Sequence, residues 1–149
     1  MIRNFDSIAD FVMFLRNRPG PVARQQREGL RRAGVMLRRE AQNLIGTQDP
    51  AWAALSPHTV EEKRELGYVG RISATDPLLR TGHLRGSIEF SSDADDVVIG
   101  TNDPVADEHE FGTRHMPARP VFSTTMFRHK GKATDLICER VISALMGRS

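Results

Sequence analysis

The feature that most constrains this chain is one long apolar stripe. Leu30, Ala33, Leu37, Ala41, Leu44 and Ile45 recur at steps of three or four residues, and arginines cover the rest of the segment. Residues three and four apart share a face of an α-helix, so the spacing predicts a helix from about Val22 to about Ile45. Gly29 and Gly34 weaken it, each by about 1 kcal/mol relative to alanine. Gly29 and Ala33 are also small enough to let another helix approach closely. Upstream, Ile8, Phe11, Val12 and Leu15 have the spacing of a shorter amphipathic helix, with Asp6 or Ser7 as its cap. The run "RPGP", Arg18 to Pro21, is expected to stop that helix, because proline lacks the N–H that would continue it.

Downstream the pattern changes. The stretch from Gly46 to Asp76 reads as loop, short helix, loop, with Ser56 as N-cap, Pro57 in the first turn and Gly67 as the end. Trp52, the only tryptophan, is expected to anchor this loop on the core. A strand at Ser87–Phe90, turn residues "SSDADD" and the β-rich run Val97–Thr101 predict a hairpin over Ser87–Thr101. A short helix follows, with Asp103 as its cap, Pro104 at the first position and Gly112 as its stop. Its acids are expected on an exposed face, with "MPARP" a rigid connector carrying Arg119 toward a partner or an acidic group. A last helix spans Ala133–Met146, with Leu136, Ile137, Val141, Ala144 and Leu145 on one side. The predicted class is α+β: N-terminal helices, one of them long, and a C-terminal helix packed on a small, mainly antiparallel β-sheet with an extended hairpin.

With 149 residues the chain reads as one domain, 1–149. Its parts are a helical 1–47, a loop-rich 48–76 with a short helix, and 77–149 with hairpin, short helix, connector and last helix. One cysteine, Cys138, rules out an intrachain disulfide and a four-cysteine zinc site. It lies beside Ile137 on the expected buried side of the last helix, where a thiol is inert. No apolar run approaches the roughly 18 residues of a membrane span. The N-terminus does not read as a signal peptide, since Asp6 and Asp10 interrupt its apolar residues.

Charge is distributed unevenly. Arg24, Arg27, Arg31, Arg32, Arg38 and Arg39 face only Glu28 and Glu40 between Val22 and Asn43. Glu89, Asp93, Asp95, Asp96, Asp103, Asp107, Glu108 and Glu110 lie between Gly86 and Thr113 with no Lys or Arg. Either a basic face meets nucleic acid, or copies of the chain meet positive surface to negative. The arginines, Asp93, Asp95, Asp96 and, on the connector, Arg119 are candidates for a subunit or nucleic-acid interface. The arginine helix lacks interleaved aromatics, so single-strand stacking is not expected of it. A nucleic-acid-binding regulator using helix 22–45 is the alternative reading.

Catalytic motifs are weak. His109 and His115 are six residues apart with Gly112 between them, which does not fit the H-E-x-x-H spacing of zinc hydrolases. His109 shares a helical face with Val105 and Gly112 and is expected at the edge of the core. No serine sits in a G-x-S-x-G turn, and "RTGHLRG" has neither the spacing nor the lysine of a P-loop. No enzyme activity, metal or cofactor is expected.

The order of motifs carries more than any one of them. Trp52, Leu55, Ser56, Thr59 and Lys63 are followed by Leu79, Thr81, Gly82, Leu84 and Ser87. Then come Gly100, Thr101, Asn102, Ala106, His109, Phe111, Gly112, Pro117, Ala118, Arg119, Pro120 and Phe122. From about Asp49 to Phe122 this series resembles the phage virion morphogenesis (tail-completion, neck) proteins of long-tailed bacteriophages. It departs from them at Val105, where the family often has tyrosine, and at Val121, which separates Arg-Pro from phenylalanine. The resemblance implies a structural, non-enzymatic role in joining or completing head and tail. It implies a homo-oligomeric ring, a hexamer favoured, around the DNA channel. The implied partners are further copies, neighbouring head-closure, tail-terminator or tail-tube proteins, and packaged DNA through non-specific contact, with no membrane. The implied place is the virion, after synthesis in the host cytoplasm.

Overall fold

The computed structural model describes residue 13, residues 19–67 and residues 73–147. The elements are α1 (Pro19–Leu44), α2 (Pro57–Leu66), α3 (His83–Ser87), β1 (Glu89–Ser92), β2 (Val97–Gly100), α4 (Val105–Phe111) and α5 (Phe122–Leu145). Helices with one two-stranded antiparallel hairpin make the class α+β, as expected. The short N-terminal helix expected around Ile8–Leu15 lies outside the described residues, apart from Met13, which is helical.

Helix α1 follows its stripe: Leu30, Ala33, Leu37 and Ala41 are all buried. The stop expected of "RPGP" for the preceding helix falls outside the described residues, and α1 itself starts earlier than the expected Val22. Pro19 is the first helical residue and Gly20 and Pro21 lie in the opening turn, where a missing N–H costs nothing because those donors have no intrahelical acceptor. The helix stops at Gly46, whose φ of +88° suits glycine. A Cβ there would lie 2.6 Å from Leu79 Cδ2, so the same residue admits a close neighbour.

By its contacts the chain forms two compact units, residues 1–36, 91–98 and 131–149 in one and residues 37–90 and 99–130 in the other. In the first, Gly29 meets α5 so tightly that a Cβ would sit 2.9 Å from Ile137 Cα. Among the described residues its buried apolar side chains are Leu30, Ala33, Ala133 and Ala144. The small side chains are what allow the two helix backbones to approach. In the second, Ala41, Ile45, Trp52, Leu79, Ile88 and Val121 form the core, with Leu44, Leu78, Leu84, Ile99 and Phe122 packed against it. Trp52 anchors its loop as expected.

Three further expectations need correction. Helix α5 starts at Phe122, well before Ala133. The segment between has no apolar periodicity to announce it, and its cap comes from elsewhere in the chain. Strand β1 starts two residues later than expected and takes in Ser91 and Ser92, while Ser87 closes α3 by donating to the Leu84 carbonyl at 2.9 Å. Cys138 is exposed. It follows half-buried Ile137, and one residue turns about 100° around a helix, enough to carry the thiol off the packed side.

Candidate functional site

The residues that carry the family resemblance converge. Thr81, Gly82, Leu84, His109, Pro117 and Arg119 all line one open cleft of about 670 Å³ in the second unit. Its walls begin with α2. Ser56, in extended conformation, caps that helix by accepting from Thr59 N at 3.1 Å. Lys63 follows on α2, buried, its ammonium donating to the Asp76 carbonyl at 2.6 Å. Burial lowers the Lys63 pKa, and the nearby Asp76 charge offsets this in part.

Another wall is the turn before α3. Thr81 Oγ1 accepts from His83 N, and Gly82 takes a left-handed φ of +79°. His83 Nδ1 lies 2.9 Å from Asp103 Oδ2. The same Asp103 accepts from Val105 N through Oδ1, so it caps α4 as expected while holding His83. These bonds, that to His83 first, keep its carboxyl below the usual range. Thr101 Oγ1 accepts from Asp103 N and shares a 2.6 Å bond with Ser87 Oγ, which ties β2 to the end of α3.

The segment from His109 to Ser123 closes the site and departs most from expectation. Gly112, with φ +74°, ends α4 as expected, and a Cβ there would lie 2.7 Å from Ala118 N. A tight turn follows, with Thr113 and Met116 exchanging main-chain bonds of 2.8 and 3.3 Å. The chain then returns so that Arg119 N donates to the His109 carbonyl at 2.7 Å. Asp107 and Glu108 are exposed as expected, but Glu110 is not. Its carboxylate accepts from Val121 N at 2.7 Å, Phe122 N at 3.0 Å and Ser123 N at 2.8 Å. It thus caps α5 from a neighbouring helix. Burial pushes the Glu110 pKa up, but the bonds from Ser123, Phe122 and Val121 outweigh it and leave the carboxyl below its usual value. Arg119 does not stand out into solvent, and it pairs with no acid among the described residues. It is 5% exposed, and its guanidinium donates to the carbonyls of Ala53 at 2.9 and 3.2 Å and of Ala54 at 3.3 Å. The connector is therefore stapled to the tryptophan loop. Asp49 braces the other side of that loop, accepting from Ala51 N and pairing with Arg128 at 2.5 Å.

His109 is half-buried, with a buried Nδ1 that has no partner among the described residues. Burial, aided by the Arg119 charge, lowers its pKa, so the ring is neutral near pH 7. His115 is exposed on the turn. Among the described residues no three His, Cys, Asp or Glu side chains come together as a metal site needs.

The charged candidates divide by surroundings. Arg24, Arg27 and Arg39 are exposed. Arg31 and Arg32 share Glu28, at 3.1 and 2.9 Å. Arg38 pairs with Glu89 at 3.4 Å and stacks 5.7 Å from the Phe90 ring centre. In the hairpin turn Asp93 accepts from Asp95 N and Asp96 N, both at 3.0 Å. Gln26 of α1 donates to Ala94 O at 2.9 Å and to Asp95 Oδ1 at 3.3 Å. The basic helix and the acidic turn thus meet within the first unit through an uncharged side chain. Glu110 and Lys63 are structural residues that sequence reasoning did not single out for these tasks. The available signal for Glu110 was indirect: "RPV" before Phe122 offers no capping side chain, so the cap had to come from a distance.

The family model for phage virion morphogenesis matches residues 6–142, nearly the whole chain. The chain belongs to the phage virion morphogenesis family. Membership implies a virion component with a structural rather than a catalytic role. No curated protein and no solved structure matches the chain. Among the described residues no helix is long and apolar enough to cross a membrane.

Proposed function

We propose that this family member is a neck or tail-completion protein that forms a ring at the head–tail junction and joins or completes head and tail around the DNA channel. The family match over residues 6–142 carries the reading, and exposed charge of both signs supports it. Arg24 and Arg27 stand exposed on the front of α1, while Asp95 and Asp96 stand exposed on the hairpin turn. A ring interface is heterologous, so one surface of each copy meets a different surface of the next, and opposite charges on the two favour closure. Six copies would match the symmetry of a tail tube. The partners are then other copies and the head-closure, tail-terminator or tail-tube proteins above and below. Arginines turned toward the channel would hold DNA by its phosphates without reading sequence.

Electron microscopy of purified protein and of particles tests this. Closed rings at the junction are expected. A protein that stays monomeric at high concentration and is absent from the junction of assembled particles overturns the proposal.

A further inference from the structure

The cleft holds two buried cations outside any ion pair among the described residues: Lys63 has only the nearby Asp76 charge to offset its burial, and Arg119 has no acid beside it. Lys63 is 8% exposed and Arg119 5%, and both line it. Lys63 donates to the main-chain carbonyl of Asp76 and Arg119 to those of Ala53 and Ala54. Neither makes an ion pair among the described residues. Buried charges are ordinarily matched by an opposite charge. Two acids share the lining, but Asp103 is bonded to His83 and Glu62 is exposed on α2. The lining also has apolar side chains, among them Leu55, Leu66, Leu78 and Met116, and Leu66 is 60% exposed. An anionic group flanked by an apolar one therefore fits this cleft.

The chain carries such a feature on its hairpin. Asp93 holds the turn from inside by accepting from Asp95 N and Asp96 N. That leaves the carboxylates of Asp95 and Asp96 exposed, with Val98 63% exposed on the adjoining strand. Gln26 fixes the turn to α1, so it is presented with little ordering left to lose. We propose that the cleft of one copy receives the acidic hairpin turn of a second copy, Asp95 and Asp96 supplying the missing counter-charge and Val98 lying against the apolar wall. This rests on the ring reading above and identifies which two surfaces meet. Nucleic acid suits the cleft less well. Among the described residues the lining contains no Phe, Trp or Tyr on which bases could stack.

The test uses the full chain with Cys138→Ser and one new cysteine at a time, at the exposed positions Asp96→Cys or Leu66→Cys. Mixed under mild oxidation, in solution and in assembled particles, the two proteins should form a disulfide-linked dimer in several-fold excess over either alone. Adding Asp95→Lys to the hairpin variant should reduce the yield, and Asp95→Lys with Asp96→Lys in the parent chain should weaken self-association at least tenfold. Equal cross-linking in each protein alone would mean that like surfaces meet and would overturn the inference. So would a link formed only within one chain when both cysteines are on it. Rings without any cross-link would overturn the inference and leave the ring reading standing, whereas no assembly in solution or in particles would remove both. Protection of the Leu66→Cys thiol from alkylation by a single-stranded oligonucleotide, but not by the partner protein, would give the cleft to nucleic acid and overturn the inference as well.

Discussion

The front of α1 and the segment from His109 to Ser123 both carry charge, but the charges are held in opposite ways. On α1, Arg24 and Arg27 are exposed, and Arg31 and Arg32 share one carboxylate at the surface. In the later segment the partners are mostly main-chain groups: Glu110 accepts from three N–H groups, with the Ser123 side chain adding to them, and Arg119 donates to two carbonyls. Irregular backbone cannot satisfy its own polar groups as a helix or sheet does. Here an ionised side chain supplies what the missing ladder would have supplied. Exposed pairs contribute little to stability and remain available to partners. The comparison predicts that equal losses of formal charge have very unequal effects.

The largest effect is expected at Glu110. Glu110→Ala leaves the three N–H donors at the start of α5 without their acceptor, at a cost of about 3 kcal/mol in urea unfolding. Glu110→Gln keeps an acceptor and should lose about half as much. The Glu110 carboxyl is held below its usual pKa. Its contribution is therefore fully present above the unfolded-state pKa and is lost as pH falls through the folded one. Stability of the parent chain should fall more steeply on acidification than that of Glu110→Gln. Parallel pH profiles would mean that the carboxylate does not brace α5.

Arg119→Met comes next. It keeps an apolar stem but leaves the carbonyls of Ala53 and Ala54 without their donor, for a loss of about 2 kcal/mol. Arg119→Lys should recover only part of this, because an ammonium cannot reproduce the guanidinium fork. Full recovery would show that charge, not the two-carbonyl staple, matters there. Gly29→Ala tests the first unit. The new methyl meets backbone at Ile137, and overpacking costs about 1–3 kcal/mol. Better helix propensity returns about 1 kcal/mol, so a net loss of about 1 kcal/mol, read as a lower Tm, is expected.

What was legible in the sequence follows from the same contrast. The stripe of α1, the Ser56 cap with Pro57, the stop at Gly112 and the burial of Trp52 depend on neighbours a few residues away or on plain hydrophobicity. The start of α5 does not. Phe122 opens that helix because Glu110, on another element, reaches its first N–H groups. Arg119 looked like a surface group because its acceptors lie 66 and 65 residues earlier in the chain. Asp107 and Glu108 are exposed as their polarity predicts and Glu110 is not, since the three acids differ only in which way the helix turns them. Composition made the cleft invisible: Lys63 and Arg119 are two cations among many, and only the fold shows that they are buried and outside any ion pair among the described residues.

The smallest effect is expected at Glu28, and it is the sharpest test of the comparison. Glu28 bonds both Arg31 and Arg32, and these bonds, that to Arg31 first, lower its pKa to about 2. By bond count it resembles Glu110. Yet it is a surface group on a helix that already has its own hydrogen bonds, and water and salt can replace what the arginines offer. Glu28→Gln should leave the urea midpoint unchanged at physiological salt. A carboxyl titration by NMR should find the low pKa at low salt and see it rise toward the usual glutamate value as salt is added. By sign, whatever the pair contributes is present above the unfolded-state pKa and vanishes as pH falls through about 2. If Glu28→Gln instead destabilised the protein as much as Glu110→Gln, ionised bonds would matter wherever they lie. If only the latter destabilises it, what matters is whether the bonded partner is a main-chain group that nothing else can satisfy.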